Sequence, residues 1–299
     1  MGQADSNARW RSAPATQTFA VKRVTSLIGI AILGYLGITL FYALLQRSFI
    51  YYPQTQSLDT ALVDVTRRGG SAWRDEDGNW LGWYQGTPDA TRRVLVMHGN
   101  AGQALDREYW AKLFFGLEQS GPWEVYVLEY PGYGPRSGRP SEQTLRDAAL
   151  EAMDKLQAQR REPVLLLGES LGSGVVAHVV AARPETVAGL ILVTPFSSLV
   201  AAARHHLPFL PVSLLLRDRF DTQALLADFR GPMIVVTGSA DRTVPERLAL
   251  PLKDAHQGPL LHWSQPGAGH NTLDINPHAA GWREIDAFLE RYLESRLAR

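Results

Sequence analysis

Residues 164–174 read Val-Leu-Leu-Leu-Gly-Glu-Ser-Leu-Gly-Ser-Gly, and the fold is decided there. The apolar run 164–167 passes at once into Gly168-Glu169-Ser170-Leu171-Gly172 and then into a helix-compatible stretch over 173–182. A short run that is apolar on both faces reads as a strand buried between two layers. Glycines two positions either side of a serine let a strand and a helix close up on a tight turn. Similar runs lie at 94–97 (VLVM), 125–128 (VYVL), 190–193 (LILV) and 233–236 (MIVV), with a weaker one at 260–263 (LLHW). Helical candidates near 104–119, 142–160, 171–183, 244–255 and 279–296 separate and follow them. An alternating stretch from Ser71, with Trp73, Trp80, Leu81 and Trp83 around Asp77-Gly78-Asn79, predicts an opening antiparallel hairpin. The expected class is α/β: a mostly parallel sheet of roughly eight strands with helices on both faces, forming one domain over 47–299.

The serine in this turn is a candidate nucleophile. Taken alone, the motif also fits a Gly-rich turn that binds phosphate at a helix N-terminus, although no lysine follows it as a P-loop requires. Two further residues favour catalysis. Asp241 stands just past the run at 233–236, within GSADRTVP, and His270 stands just past the run at 260–263, within PGAGHN. The C-terminal ends of parallel strands converge on one sheet edge, where ligands bind in such folds. Singly, Asp241 could cap the following helix and His270 could be an ordinary loop residue; with Ser170 they make a nucleophile, base and orienting acid. Acyl transfer also needs two amide donors for the developing oxyanion. The loop His98-Gly99-Asn100-Ala101-Gly102 follows the run at 94–97, so the amides of Asn100 and Leu171 are assigned this task, and His98 is read as structural.

The HGNAG loop, Tyr130-Pro131-Gly132-Tyr133-Gly134, GESLGSG, Thr194-Pro195-Phe196, GSADRTVP and PGAGHN together resemble the α/β-hydrolase superfamily. Within it they resemble a branch of single-pass membrane serine hydrolases that includes bacterial hydrolases and eukaryotic protein depalmitoylases. The likeness covers about residues 49–296. The eukaryotic depalmitoylases carry an N-terminal cysteine cluster; this chain has no cysteine. The resemblance implies that the insertion after the run at 190–193 is a lid, and the short apolar stretch at about 197–229 is read as a small cap beside an acyl pocket, or as a helix that completes the core.

Outward from the catalytic region, the segment 24–45 (VTSLIGIAILGYLGITLFYALL) has no charge. As a helix it would reach roughly 33 Å, enough to cross a bilayer core. The run ends in Gln46-Arg47-Ser48-Phe49 rather than in a small-residue cleavage site, so it is expected to stay attached as a transmembrane helix over 24–46. Residues 1–23 read as a disordered tail, and the Tyr51-Tyr52 pair as interfacial anchors. Arg9, Arg11, Lys22 and Arg23 precede the span against Arg47 just beyond it, which places the N-terminus in the cytoplasm and the catalytic domain across the membrane.

Thirty basic residues balance thirty acidic ones. Nothing therefore favours nucleic acid. Without cysteine, a thiolate nucleophile, a disulfide framework and thiolate metal sites are excluded. His205 and His206 are adjacent and diverge on a helix, so no metal is expected, and the triad chemistry calls for no cofactor. His178, His256, His262 and His278 read as surface or packing residues. The expected function is a membrane-anchored serine hydrolase acting on small or lipid-like acyl esters or thioesters. Two other readings stay open at this point: a serine peptidase or amidase using the same triad, and a non-catalytic membrane scaffold.

Overall fold

The computed structural model describes residues 15–87 and 89–297, which divide into two units, one ending at Gln46 and one beginning at Arg47. The first unit carries most of helix α1 (Ala15–Ile50). This helix is longer at both ends than the expected span over 24–46. Residues 15–23, expected as tail, are helical, and residues 1–14 lie outside the described residues. The part over Lys22–Ile50 is long and apolar enough to cross a membrane, and none of its most apolar window is buried in protein. A helix that is apolar around its whole circumference has no face to give to water.

The second unit opens with a short strand, β1 (Tyr52–Pro53), and a helix that the sequence reading passed over, α2 (Leu58–Arg67). Ser57 caps that helix by accepting a hydrogen bond from the Thr60 amide, and Ala61 and Val65, one turn apart, are its buried stripe. The expected hairpin follows as β2 (Ser71–Arg74) and β3 (Trp80–Gly86), with Gly78 at positive φ in its turn. Next come β4 (Arg92–Met97), β5 (Ala101–Gly102), α3 (Glu108–Phe115), β6 (Trp123–Leu128), α4 (Glu142–Gln159), β7 (Val164–Glu169), α5 (Leu171–Ala182) and β8 (Val187–Val193). The insertion holds α6 (Leu199–His206), α7 (Val212–Leu215) and α8 (Thr222–Leu225), and the chain closes with β9 (Met233–Gly238), α9 (Leu250–Ala255), β10 (Leu260–Gln265) and α10 (Ala280–Leu297).

Among the described residues, eight strands form one sheet in the order β10-β9-β8-β7-β4-β6-β3-β2. Every pairing from β10 to β6 is parallel, and the β6-β3 and β3-β2 pairings are antiparallel. Alternate residues feed opposite layers, as the pleat dictates. Leu95, Met97, Leu166, Leu190, Leu192 and Val235 face α4 and α5, whereas Val94, Val96, Leu165, Leu167, Ile191 and Val236 face α2, α3 and α10. Each fully buried side chain of this size contributes roughly 1.5–3 kcal/mol, so the continuous apolar runs are what fix the three-layer arrangement. A second, two-stranded sheet pairs β1 with β5 in parallel.

Candidate active site

Strand β7 delivers Ser170 to the carboxyl edge of the sheet. Its φ of 51° and ψ of −112° lie where a side chain with a Cβ is strained, and its amide is held by the Val193 carbonyl at 2.8 Å. The glycines around it are obligatory. A Cβ on Gly168 would come within 2.7 Å of the Gly172 carbonyl oxygen, and one on Gly172 would run into the Met97 carbonyl. Backbone approach of that closeness leaves no room for a side chain. Ser173 ties the turn from the helix side, its amide and hydroxyl both donating to the Ser170 carbonyl at 3.0 and 2.6 Å.

Asp241 leaves the end of β9 and His270 the loop after β10, and the structure brings both to Ser170. The His270 Nδ1–H donates to Asp241 Oδ2 at 2.7 Å, and Nε2 stands 3.1 Å from Ser170 Oγ. With Nδ1 carrying the proton, the Nε2 lone pair faces the hydroxyl. The second carboxylate oxygen of Asp241 accepts the Thr243 and Val244 amides, each at 2.8 Å, which fixes its rotamer. The two loops are joined by the Ala240 amide donating to the Ala268 carbonyl at 2.9 Å and by the Gly267 amide donating to Ser239 Oγ at 2.8 Å. All three members are shielded: Ser170 is 8% and Asp241 6% exposed, and the His270 side chain 15%.

The loop after β4 runs beside the nucleophile, since a methyl built on Gly99 would lie 3.7 Å from the Ser170 Cβ. The His98 ring donates from Nδ1 to the Gly99 carbonyl at 2.8 Å. In a trans peptide the carbonyl and the next N–H point in opposite directions, so this bond turns the Asn100 amide away from the His98 ring. That amide has no acceptor among the described residues, and neither does the amide of Leu171, the first residue of α5. His98 is the structural residue expected, fully buried against Tyr130 with ring centroids 4.1 Å apart, and burial lowers its pKa to about 3, so it is neutral. Beneath it Glu129 is fully buried 3.6 Å from His98 Nε2, and burial raises its pKa to about 8.

Several residues that shape the site carried no sequence signal. The Glu169 carboxylate, next to the nucleophile, accepts Tyr109 Oη at 2.7 Å and Trp110 Nε1 at 3.0 Å, with Arg107 Nε at 3.3 Å. The expected cap region is three short helices; Ala202, Phe220, Leu226 and Phe229 join the core below it, while Phe209 and Leu214 are exposed. Part of the insertion therefore completes the core. His206 Nε2 meets the Thr243 carbonyl at 2.8 Å and Arg247 meets His205 Nδ1 at 2.7 Å, which seats α6 on the Asp241 loop. Tyr51 corrects the sequence reading: it is 4% exposed, with its hydroxyl donating to Asp218 at 3.0 Å, and is a core residue rather than an interfacial anchor. Its neighbour Tyr52 is exposed. An i, i+1 pair leaving a helix cannot present both rings to one environment, and Asp218 supplies the buried partner.

A family model described as alpha/beta hydrolase fold matches residues 92–214. The chain is 34% identical over 264 residues to the uncharacterized protein Rv2307c of Mycobacterium tuberculosis, covering 86% of this chain and 92% of that protein. It is 32% identical over 142 residues to a lysophosphatidylserine lipase of Xenopus tropicalis, covering 46% of this chain and 36% of that protein. Among solved structures, the esterase domain of a Rhodothermus marinus protein matches in fold with a TM-score of 0.54 at 19% identity, covering 75% of this chain and 98% of that one. With the sheet order, the strained serine turn and these relatives together, the chain belongs to the α/β-hydrolase superfamily.

Proposed function

We propose that this chain is a membrane-anchored serine hydrolase that cleaves carboxylic esters or thioesters of acyl, lipid-like substrates. The observation that carries the reading is the unbroken relay from Asp241 through His270 to Ser170, at 2.7 and 3.1 Å, on a strained turn at the sheet edge. His270 Nε2 takes the Ser170 proton as Oγ bonds to the substrate carbonyl carbon, and the amides of Asn100 and Leu171 hold the resulting oxyanion. Collapse breaks the bond to the alcohol or thiol, which leaves with the proton from His270. A water molecule then gives its proton to His270 and attacks the acyl-enzyme, releasing the acid and restoring Ser170. Asp241 stabilises the imidazolium and keeps the tautomer. Helix α1 retains the enzyme in the membrane.

The test is hydrolysis of p-nitrophenyl esters of increasing acyl length by the detergent-solubilised full chain, with fluorophosphonate labelling in parallel. Ser170→Ala should abolish labelling and lower kcat by at least about 10³-fold. Equal turnover by wild type and variant would overturn the assignment. Turnover of anilides in preference to esters would move the enzyme to the amidases.

A further inference from the structure

The segment that follows the apolar helix is hydrogen-bonded directly to the loop that carries the Asn100 amide. The Asn100 side-chain Nδ2 donates to the Ile50 carbonyl at 2.7 Å, and the Tyr52 amide donates back to the Asn100 carbonyl at 2.9 Å. The pairing continues as Tyr52 opposite Ala101 and Pro53 opposite Gly102, with the Gln54 amide on the Gly102 carbonyl at 2.9 Å. On its other side the segment meets the loop after β6: the Gly134 amide donates to the Gln54 carbonyl at 2.7 Å, and the Gln56 amide to the Gly134 carbonyl at 3.1 Å. From that second loop Tyr133 Oη donates to the Asn100 carbonyl at 2.8 Å. The root of the segment is fixed in turn, since the buried Asp218 carboxylate takes Arg47 Nε and Nη2 at 2.9 and 3.0 Å together with the Tyr51 hydroxyl.

A two-residue parallel ladder has too few bonds to stand by itself, so its stability comes from what surrounds it. What it does is restrict Asn100. The peptide unit ending in the Asn100 N–H is held on one side by His98 at the Gly99 carbonyl. On the other side, the Asn100 carbonyl takes two donors and its side chain is tied to Ile50. An N–H so restrained on both sides is aimed before any charge develops, which is the condition under which an oxyanion donor lowers the barrier.

We propose that residues 50–54 form a positioning strut for the oxyanion loop, acting through the Asn100 carboxamide and carbonyl, with Asn100 and Tyr133 as positioning side chains. The inference rests on the serine-hydrolase reading above. The chain leaving the apolar helix is thereby part of what holds the site in its reactive geometry, and its effect falls on the transition state rather than on substrate binding.

The test uses the full-length protein with Asn100→Ala, which keeps the backbone amide and removes the tie to Ile50, and with Tyr133→Phe, which removes one donor and keeps the ring. Each variant is assayed on a p-nitrophenyl ester and titrated with an alkyl trifluoromethyl ketone, whose adduct on a serine mimics the tetrahedral oxyanion. We expect kcat to fall about 10-fold to 10²-fold, the loss seen for ångström-scale misplacement of a reacting or catalytic group. KM should stay within about twofold, because an interaction made only in the transition state leaves ground-state binding alone. Affinity for the ketone should fall by the same factor as kcat, and the melting temperature should hold. Unchanged kcat and ketone affinity in both variants would overturn the strut, as would a loss of activity that tracks a loss of thermal stability. If Asn100→Ala does not fold, Tyr133→Phe decides alone. If the wild type fails to react with fluorophosphonate at Ser170, the reading beneath the proposal fails instead.

Discussion

At the scale of single residues, the site depends on two kinds of position: those with no room for a side chain, and those whose hydrogen bonds leave one orientation. Gly168 and Gly172 are of the first kind and Asp241 of the second. Because Asp241 Oδ1 is committed to the Thr243 and Val244 amides, Asp241→Asn would keep its carbonyl oxygen there and turn its NH2 toward His270 Nδ1. That donor enforces the opposite imidazole tautomer, with the proton on Nε2 facing Ser170. We expect kcat to fall about 10⁴-fold with the melting temperature little changed, the size of loss known for the equivalent change in a serine protease. Stopped-flow acylation by a p-nitrophenyl ester beside a thermal melt measures both. A loss under about tenfold would show that the relay does not set the rate.

At the scale of elements, the loops after β4 and β6 are locked together by buried polar groups that carry no charge. Glu129 accepts the Ala104 amide at 2.9 Å, lies beside His98, and interacts with Asp106, Arg107 and Arg136. Burial dominates and keeps its carboxyl protonated up to about pH 8. A carboxyl whose folded pKa is raised stabilises the fold fully below its unfolded value and loses that contribution as pH rises through the folded one. Glu129→Gln cannot ionise, so the stability difference between variant and wild type should move in the variant's favour between pH 5 and pH 9. Each unit of raised pKa corresponds to about 1.4 kcal/mol, so a relative gain of at least about 1 kcal/mol is expected in chemical denaturation curves. A pH-independent difference would mean that the carboxyl is already ionised in the fold. His98 has the opposite sign: its lowered pKa makes stability present above about 6.5 and lost as pH falls toward about 3.

At the scale of the whole molecule, one continuous helix carries a charge-free apolar stretch and then enters the hydrolase unit at Arg47. From the excess of Arg9, Arg11, Lys22 and Arg23 before that stretch over Arg47 after it, we propose an N-terminus in the cytoplasm and a catalytic unit on the far side. We expect the full chain to stay in the membrane pellet after alkaline carbonate washing. In sealed inside-out vesicles the catalytic unit should be protected from added protease. Release by carbonate would rule out a span, and digestion of the catalytic unit from the cytoplasmic face would reverse the orientation.

What the sequence determined alone is whatever local pattern controls. Buried strands announce themselves as short apolar runs, a strained serine turn announces itself by flanking glycines, and strand ends near Asp241 and His270 place both at one edge; the eight-stranded sheet and the meeting of Ser170, Asp241 and His270 follow from these. Helix α2 was not read from the sequence, because a buried stripe of two residues, Ala61 and Val65, within ten makes a weak periodic signal. Only the tertiary structure decided the rest. That Tyr51 is core, that Asp218 receives Arg47, that Glu129 sits under His98, and that β1 pairs with β5 each depend on partners between about 30 and 170 positions away in the chain, and propensity and periodicity carry no information about such pairings. A polar residue in a loop reads as exposed until the fold buries it beside a donor, because burial is a property of the neighbours that long-range packing supplies.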